Sequence, residues 1–170
     1  MKKFNKDHRN CQTDLQSLYP SFDPFLSINS GQVFLWEKRG DSWYGIHGER
    51  VIKITQLDDH FEIESFPRDV SHEQKMFRLG DDDKAIFSEI SRDMLVRKLV
   101  KAYPGLRLMR QEPHQCLFSF VCASNTNIPM IRRMLYNMSR KFGKSVRIDG
   151  HEFFTFPLAA ERVCEIERYR

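Results

Sequence analysis

Side-chain amides and cations gather in one stretch of this chain, Gln111-Glu112-Pro113-His114-Gln115-Cys116-Leu117-Phe118-Ser119-Phe120-Val121-Cys122-Ala123-Ser124-Asn125-Thr126-Asn127-Ile128-Pro129-Met130-Ile131-Arg132-Arg133. It reads as a proline-started apolar helix over about 113–124, a turn bearing Asn125 and Asn127, and a basic helix over about 128–142 with Gly143 as its stop. An amide both donates and accepts hydrogen bonds, which suits base edges. Arg132, Arg133 and Lys141, just behind, suit phosphate. Asn125 or Asn127 can also serve as the cap of the second helix.

Charge placement points the same way. Net charge is only +4, yet residues 113–170 carry nine basic against five acidic groups. No Asp or Glu occurs from Pro113 to Ile148, while Arg132, Arg133, Arg140, Lys141, Lys144 and Arg147 accumulate. A one-signed stretch of this kind is an electrostatic footprint for phosphate, or else a solvated face balanced elsewhere in the fold.

Other chemistry is thinly represented. The six His residues (8, 47, 60, 72, 114 and 151) are scattered without HExxH spacing, and Cys11, Cys116, Cys122 and Cys164 form no CxxC pair, so no metal is expected. The cysteines read as buried thiols of a reduced intracellular protein. No phosphate-cradling glycine motif is present, and no cofactor is expected. Asp81-Asp82-Asp83 reads as a helix start, and Lys98, Lys101 and Lys141 as surface charges. The first residues lack the apolar stretch of a signal peptide, and no 18-residue apolar run exists, so neither secretion nor a membrane span is expected.

The elements that position these groups follow from periodicity. Hydrophobic content of 41% and 14 Phe residues argue a folded chain with an aromatic core. Residues 1–19 read as a loose polar lead-in. Residues 20–79 read as strands: Phe25–Ile28, Val33–Lys38, Trp43–Ile46, Val51–Gln56 and Phe61–Phe66, with turns at Arg39-Gly40-Asp41 and at Gly48. Trp36 and Trp43 flank the first turn and are expected to pack the sheet. Ile86, Phe87, Ile90, Met94, Leu95 and Leu99 then follow helical spacing, ended by Tyr103-Pro104-Gly105. Phe153–Pro157 reads as a short extended piece. Sheet first and helices afterwards is an α+β layout, divided into 1–19, 20–112 and 113–170.

Several blocks together carry a resemblance. Ser30-Gly31-Gln32-x-Phe34-x-Trp36, Trp43-Tyr44-Gly45, Gly105-Leu106-Arg107-Leu108-Met109-Arg110-Gln111-x-Pro113-x-x-Cys116-Leu117-Phe118-Ser119-Phe120 and Ser124-Asn125-Thr126-Asn127-Ile128 resemble the amino-terminal half of the 8-oxoguanine DNA glycosylases over roughly 20–157. The resemblance implies an antiparallel sheet with packed helices, TATA-binding-protein-like, followed by the first helices of an incomplete helical domain. It implies base-excision repair of duplex DNA containing 8-oxoguanine, in the cytoplasm of a prokaryote or the nucleus of a eukaryote. It also implies that the Gly31 carbonyl meets the protonated N7 of the flipped lesion, where guanine has only an acceptor. Asn125 would fill the gap left by that base. Phe120 and Ile128 would line or back the base pocket, and Asn127 would lie beside it, toward the DNA backbone.

Two departures qualify it. Many family members carry an arginine two residues past the position of Ile128, reading the opposite cytosine; here Met130 stands there. A thioether donates no hydrogen bond, so relaxed opposite-base preference is expected, as in a bacterial or archaeal branch. The family's catalytic lysine and aspartate, which follow a helix-hairpin-helix, have no match before Arg170. No catalytic residue is therefore assigned. The expectation is a lesion-side half that lacks its carboxy-terminal half, or a stand-alone DNA-binding module or half of a split enzyme.

Overall fold

The computed structural model describes residues 22–157 apart from Asp59 and Asn125, so the lead-in, Cys11, Cys164 and the gap-filling candidate Asn125 lie outside the described residues. Its elements run α1 (Pro24–Asn29), β1 (Trp36–Arg39), β2 (Ser42–His47), β3 (Arg50–Gln56), β4 (Phe61–Phe66), α2 (Val70–Met76), α3 (Asp83–Ile90), α4 (Met94–Ala102), α5 (Pro113–Cys122), α6 (Ile128–Phe142), β5 (Ser145–Ile148) and β6 (His151–Phe154).

The first four strands form an antiparallel meander in the order β1-β2-β3-β4, which is the expected α+β layout. Period-two alternation gives the sheet two buried faces. On one, Trp36, Ile52, Ile54, Phe61 and Ile63 pack with Ile28 of α1, Met76 of α2, Phe77, Leu79 and Met109. Gly45 lies opposite Trp36 in the register, and a Cβ there would fall 2.2 Å from the indole, so the Trp-Tyr-Gly block makes room for that ring. On the other face, Tyr44 and Val51 meet Ile148 and Phe153 of the β5–β6 hairpin. Beside them Ile131 and Leu135 of α6 close with Phe156 over Phe34, Leu35 and Ile46.

The β5–β6 turn is Asp149-Gly150, both residues at positive φ, as a two-residue hairpin turn with matched twist requires. Its tip is fastened to the sheet: the Tyr44 hydroxyl donates to Asp149 Oδ2 at 2.7 Å, and Lys53 Nζ lies 2.6 Å from the same oxygen. The Lys53 ammonium and the Tyr44 hydroxyl hold the Asp149 carboxyl below its ordinary range, while that carboxylate raises Lys53.

Four local expectations need correction. Phe25–Ile28 is helical, because the Asp23 carboxylate accepts from the N–H groups of Phe25 and Leu26 at 2.8 and 3.0 Å and Pro24 occupies the first turn. Val70–Met76 is a helix within the stretch read as strands, started by Asp69, whose side chain accepts from the His72 N–H. The apolar spacing from Ile86 to Leu99 covers two helices, since Asp93 caps a new start with bonds to Leu95 and Val96 N–H. Cys116 and Cys122 are half-buried free thiols rather than fully buried ones.

The structure also joins two histidines that the sequence keeps 25 residues apart, with His72 Nε2 lying 2.9 Å from His47 Nδ1. His47 Nε2 lies 2.9 Å from the Arg110 carbonyl, which can only accept, so Nε2 carries the proton and Nδ1 accepts from His72. The chain closes with both rings neutral. Burial, and secondly the neighbouring His47, push the His72 pKa down to about 4, and burial lowers His47 as well. A depressed histidine favours the folded state above its unfolded value. Stability should therefore fall as the pH drops from about 6.5 towards 4. Glu73, buried in the same helix with its pKa raised by desolvation, pulls the other way. The difference in urea midpoint between the natural chain and His72→Gln isolates the histidine: it should shrink steadily across that window, and a constant difference would contradict it.

Candidate nucleic-acid interface

The site is built on the segment from Gly105 to Glu112, which joins the Ser30-Gly31-Gln32 loop to the helix pair. Gln32 follows Gly31 and grips that segment: its Nε2 donates to Arg107 O at 2.9 Å and to Ser30 Oγ at 2.8 Å, and its Oε1 accepts from Met109 N–H at 2.9 Å. Buried Ser27 accepts from Arg107 N–H at 3.1 Å. The Ser-Gly-Gln loop is thus fixed at both sides of Gly31. Gly31 itself is exposed, at φ +87, with nothing within 4 Å of where a Cβ would stand. That backbone is strained for any L side chain, and the open space lets another molecule approach its peptide groups closely.

The same segment feeds α5, which is inside out. It buries Gln115 and Ser119 and exposes Leu117, Val121 and Phe120, the last at 78%. Gln115 explains the polar interior: its Oε1 accepts from Gly48 N–H and its Nε2 donates to Ile46 O, both at 2.8 Å, tying α5 to the β2–β3 turn. Ser119 donates to the Gln115 carbonyl at 2.7 Å. Leu117, Phe120 and Val121 therefore face outward, while Phe118 and Cys122 pack against the cluster around Phe156. Met94, Leu95 and Leu99 on α4 also face outward.

A short turn brings α5 to α6. Asn127 caps α6, its Oδ1 accepting from Met130 N–H at 3.0 Å, while its own amide N–H groups have no bond to a described residue. Phe120, Asn127, Ile128 and Met130 thereby gather at one junction, all exposed, above the positive end of a 15-residue helix. At about 100° per residue, Lys141 lies close to the Met130 side of α6, roughly 16 Å further along the axis. Arg132 points to the opposite flank, and Arg133 lies between. The three cations are therefore not one patch. No described carboxylate pairs with Arg132, Arg133, Arg140 or Lys141, whereas Lys144 pairs with Glu49 at 2.8 Å.

Gln32 and Gln115 are the positioning residues that the sequence concealed. Each stands within the quoted blocks, but its main-chain partners lie 67 or more residues away. Among the described residues, no group of three or more His, Cys, Asp or Glu side chains is arranged to hold a metal.

Residues 17–117 match the family model for the 8-oxoguanine DNA glycosylase N-terminal domain. This chain belongs to that family. It is 37% identical over 153 residues to the N-glycosylase/DNA lyase of Saccharomyces cerevisiae, covering 79% of this chain and 40% of that protein. It is 30% identical over 142 residues to N-glycosylase/DNA lyase OGG1 of Arabidopsis thaliana, covering 78% and 39%. Among solved structures, the Clostridium acetobutylicum 8-oxoguanine glycosylase/lyase in its apo form superposes with a TM-score of 0.72 at 29% identity, over 81% of this chain and 50% of that one. The same enzyme with double-stranded DNA carrying cytosine opposite 8-oxoG gives 0.70 and 30%, over 81% and 49%. The chain thus spans about two fifths of the curated relatives and half of the solved chains.

Proposed function

We propose that this chain is the DNA-gripping, lesion-side part of an 8-oxoguanine DNA glycosylase and lyase of base-excision repair. The observation that carries the reading is the junction of α5 and α6, where an amide cap, exposed apolar side chains and a helix N-terminus meet on a chain of this family. Phosphate is drawn to the helix start, to Asn127 and along the flank that ends at Lys141, with Arg133 beside it. Gly31 offers its carbonyl to the protonated N7 of a flipped lesion, a role supported by its fixed loop and open surroundings. Phe120 and Ile128 supply pocket wall, Asn125 the gap-filling amide, and Met130 the opposite-base position.

No residue here is assigned to bond breaking. In the family the lysine amine attacks the sugar C1′, and that nucleophile belongs to a carboxy-terminal half. The outward apolar faces of α4 and α5 favour such a half over a stand-alone module, because an uncovered run of Leu95, Leu99, Leu117, Phe120 and Val121 is costly in water.

The test is a fluorescence-anisotropy titration of this chain against duplexes with 8-oxoguanine opposite C, A, G or T, at two salt concentrations. Affinity should fall on the order of 10-fold or more from 50 to 200 mM salt, since phosphate contacts release counterions. It should vary only a few-fold among the four opposing bases, because the Met130 thioether donates no hydrogen bond. Absence of salt-dependent binding would overturn the DNA reading, and a strong preference for C would overturn the role given to Met130.

A further inference from the structure

The two ends of the four-stranded sheet are finished differently. Among the described residues both outer strands pair on one side only, but β4 has α2 packed against it and β1 has no such helix. Glu37, Lys38 and Arg39 of β1 are exposed. An edge with free N–H and C=O groups is a template for another strand, and charges on it exclude indiscriminate apolar partners.

Beside this edge lies a groove of about 340 Å³. Leu35, Glu37 and Tyr44 lie along the sheet, Phe154 comes from the hairpin, and Arg132 and Tyr136 come from α6. Its volume lies within the range of binding clefts, and its lining mixes aromatic and charged side chains. Its charge is incompletely balanced. Glu37 is neutralised by Arg39 at 3.1 Å, and Glu152 accepts from Ser145 Oγ at 2.6 Å, but Arg132 and Arg133 have no described carboxylate partner. Ser139, also in the lining, has a buried hydroxyl without a hydrogen-bond partner among the described residues. An exposed guanidinium beside aromatic rings selects a carboxylate, and the open edge selects an extended backbone.

We propose that the free edge of β1 and this groove together take up an extended acidic segment of a partner protein, paired as a fifth strand. Side chains of an added strand alternate between the two faces of the sheet. The groove-facing positions, two residues apart, are accordingly filled by an apolar or aromatic side chain over Leu35 and Tyr136 and by an Asp or Glu reaching Arg132. Main-chain bonds to β1 supply affinity without regard to sequence, and those two side chains supply selectivity. Arg132 lies on the flank of α6 away from Met130 and Lys141, so this surface adjoins the DNA-facing one only at Arg133.

The test pans random octapeptides displayed on phage against the full chain. Enriched clones should carry an Asp or Glu two residues from an aromatic or aliphatic residue. A synthetic representative, followed by fluorescence anisotropy, should bind Arg132→Glu at least 10-fold more weakly. N-methylating alternate amides should abolish binding in one register, the one facing β1, and leave the other register unchanged. No enrichment, clones that bind Arg132→Glu equally well, or indifference to N-methylation in both registers would each overturn the proposal. Circular dichroism of Arg132→Glu, an exposed helix position, verifies that the variant is folded.

Discussion

Gly143→Ala should unfold most of this chain at temperatures where the natural protein is intact. Gly143 follows the last residue of α6, and its backbone, at φ −80 and ψ 173, is open to any residue. The obstacle is space. A Cβ there would lie 1.9 Å from the Thr155 carbonyl oxygen and 2.5 Å from that of Ser139. Both are main-chain atoms, held by the bond from Gly143 N–H to Ser139 O at 2.7 Å and the bond from Thr155 N–H to Lys144 O at 3.0 Å. No rotamer change relieves the overlap, so the end of α6 must part from the strand leaving β6. Overpacking that displaces backbone places the loss at about 3 kcal/mol, the upper end of the usual cost. For a chain of this size that is a drop of roughly 6–12 °C in melting temperature, read by circular dichroism. Gly80→Ala is the control, since nothing lies within 4 Å of its Cβ position; equal melting points for the two variants would refute the close approach.

The second large effect is expected at Arg107. Its side chain is buried, it donates to the Arg78 carbonyl at 3.0 Å, it pairs with Asp83, and its guanidinium carbon sits 5.7 Å from the centre of the Phe22 ring. Leucine would fill much of the volume but leave the Asp83 carboxylate and a carbonyl without their donor. Breaking such a pair from one side costs about 3–5 kcal/mol, more than the pair's net worth, because a charge is stranded. Arg107→Leu should accordingly lower the urea midpoint sharply, and Asp83→Asn in the same chain should recover part of the loss. Arg107→Lys should recover little, since an ammonium cannot span both acceptors. If leucine were tolerated, the anchoring of α3 would have to lie elsewhere.

Local signals in the chain were good guides where the forces were local. The Pro113 start, the amide-rich turn and the Gly143 stop mark α5 and α6 to within about two residues. The meander was readable from its alternation and its turn residues. The misreadings occur where a cap outweighs composition: Phe25-Leu26-Ser27-Ile28 after Asp23-Pro24 is helical, and Asp93 divides one apparent helix into two. The candidate site was readable as residue types but not as an arrangement. Gly31 and Asn127 announce themselves, yet what holds the Gly31 loop is Gln32, whose main-chain partners are 75 and 77 positions away. Nothing in an amphipathic pattern says that α5 will turn Phe120 outward, because the pull on Gln115 comes from the distant Gly48 turn.

The hairpin that covers Tyr44 comes from the far end of the described chain. The Tyr44–Asp149 bond joins positions 105 apart, and every helix among the described residues lies between β4 and that hairpin except α1. During synthesis the four-stranded sheet emerges early with one face bare, and it stays bare until residues beyond Phe142 have been made. The slow step of folding should be this late closure, because contacts so remote in sequence form only after a large loop has been drawn in. A ribosome paused between α6 and β5 would therefore hold an apolar sheet face open to other chains, which makes that interval the one in which a chaperone matters most.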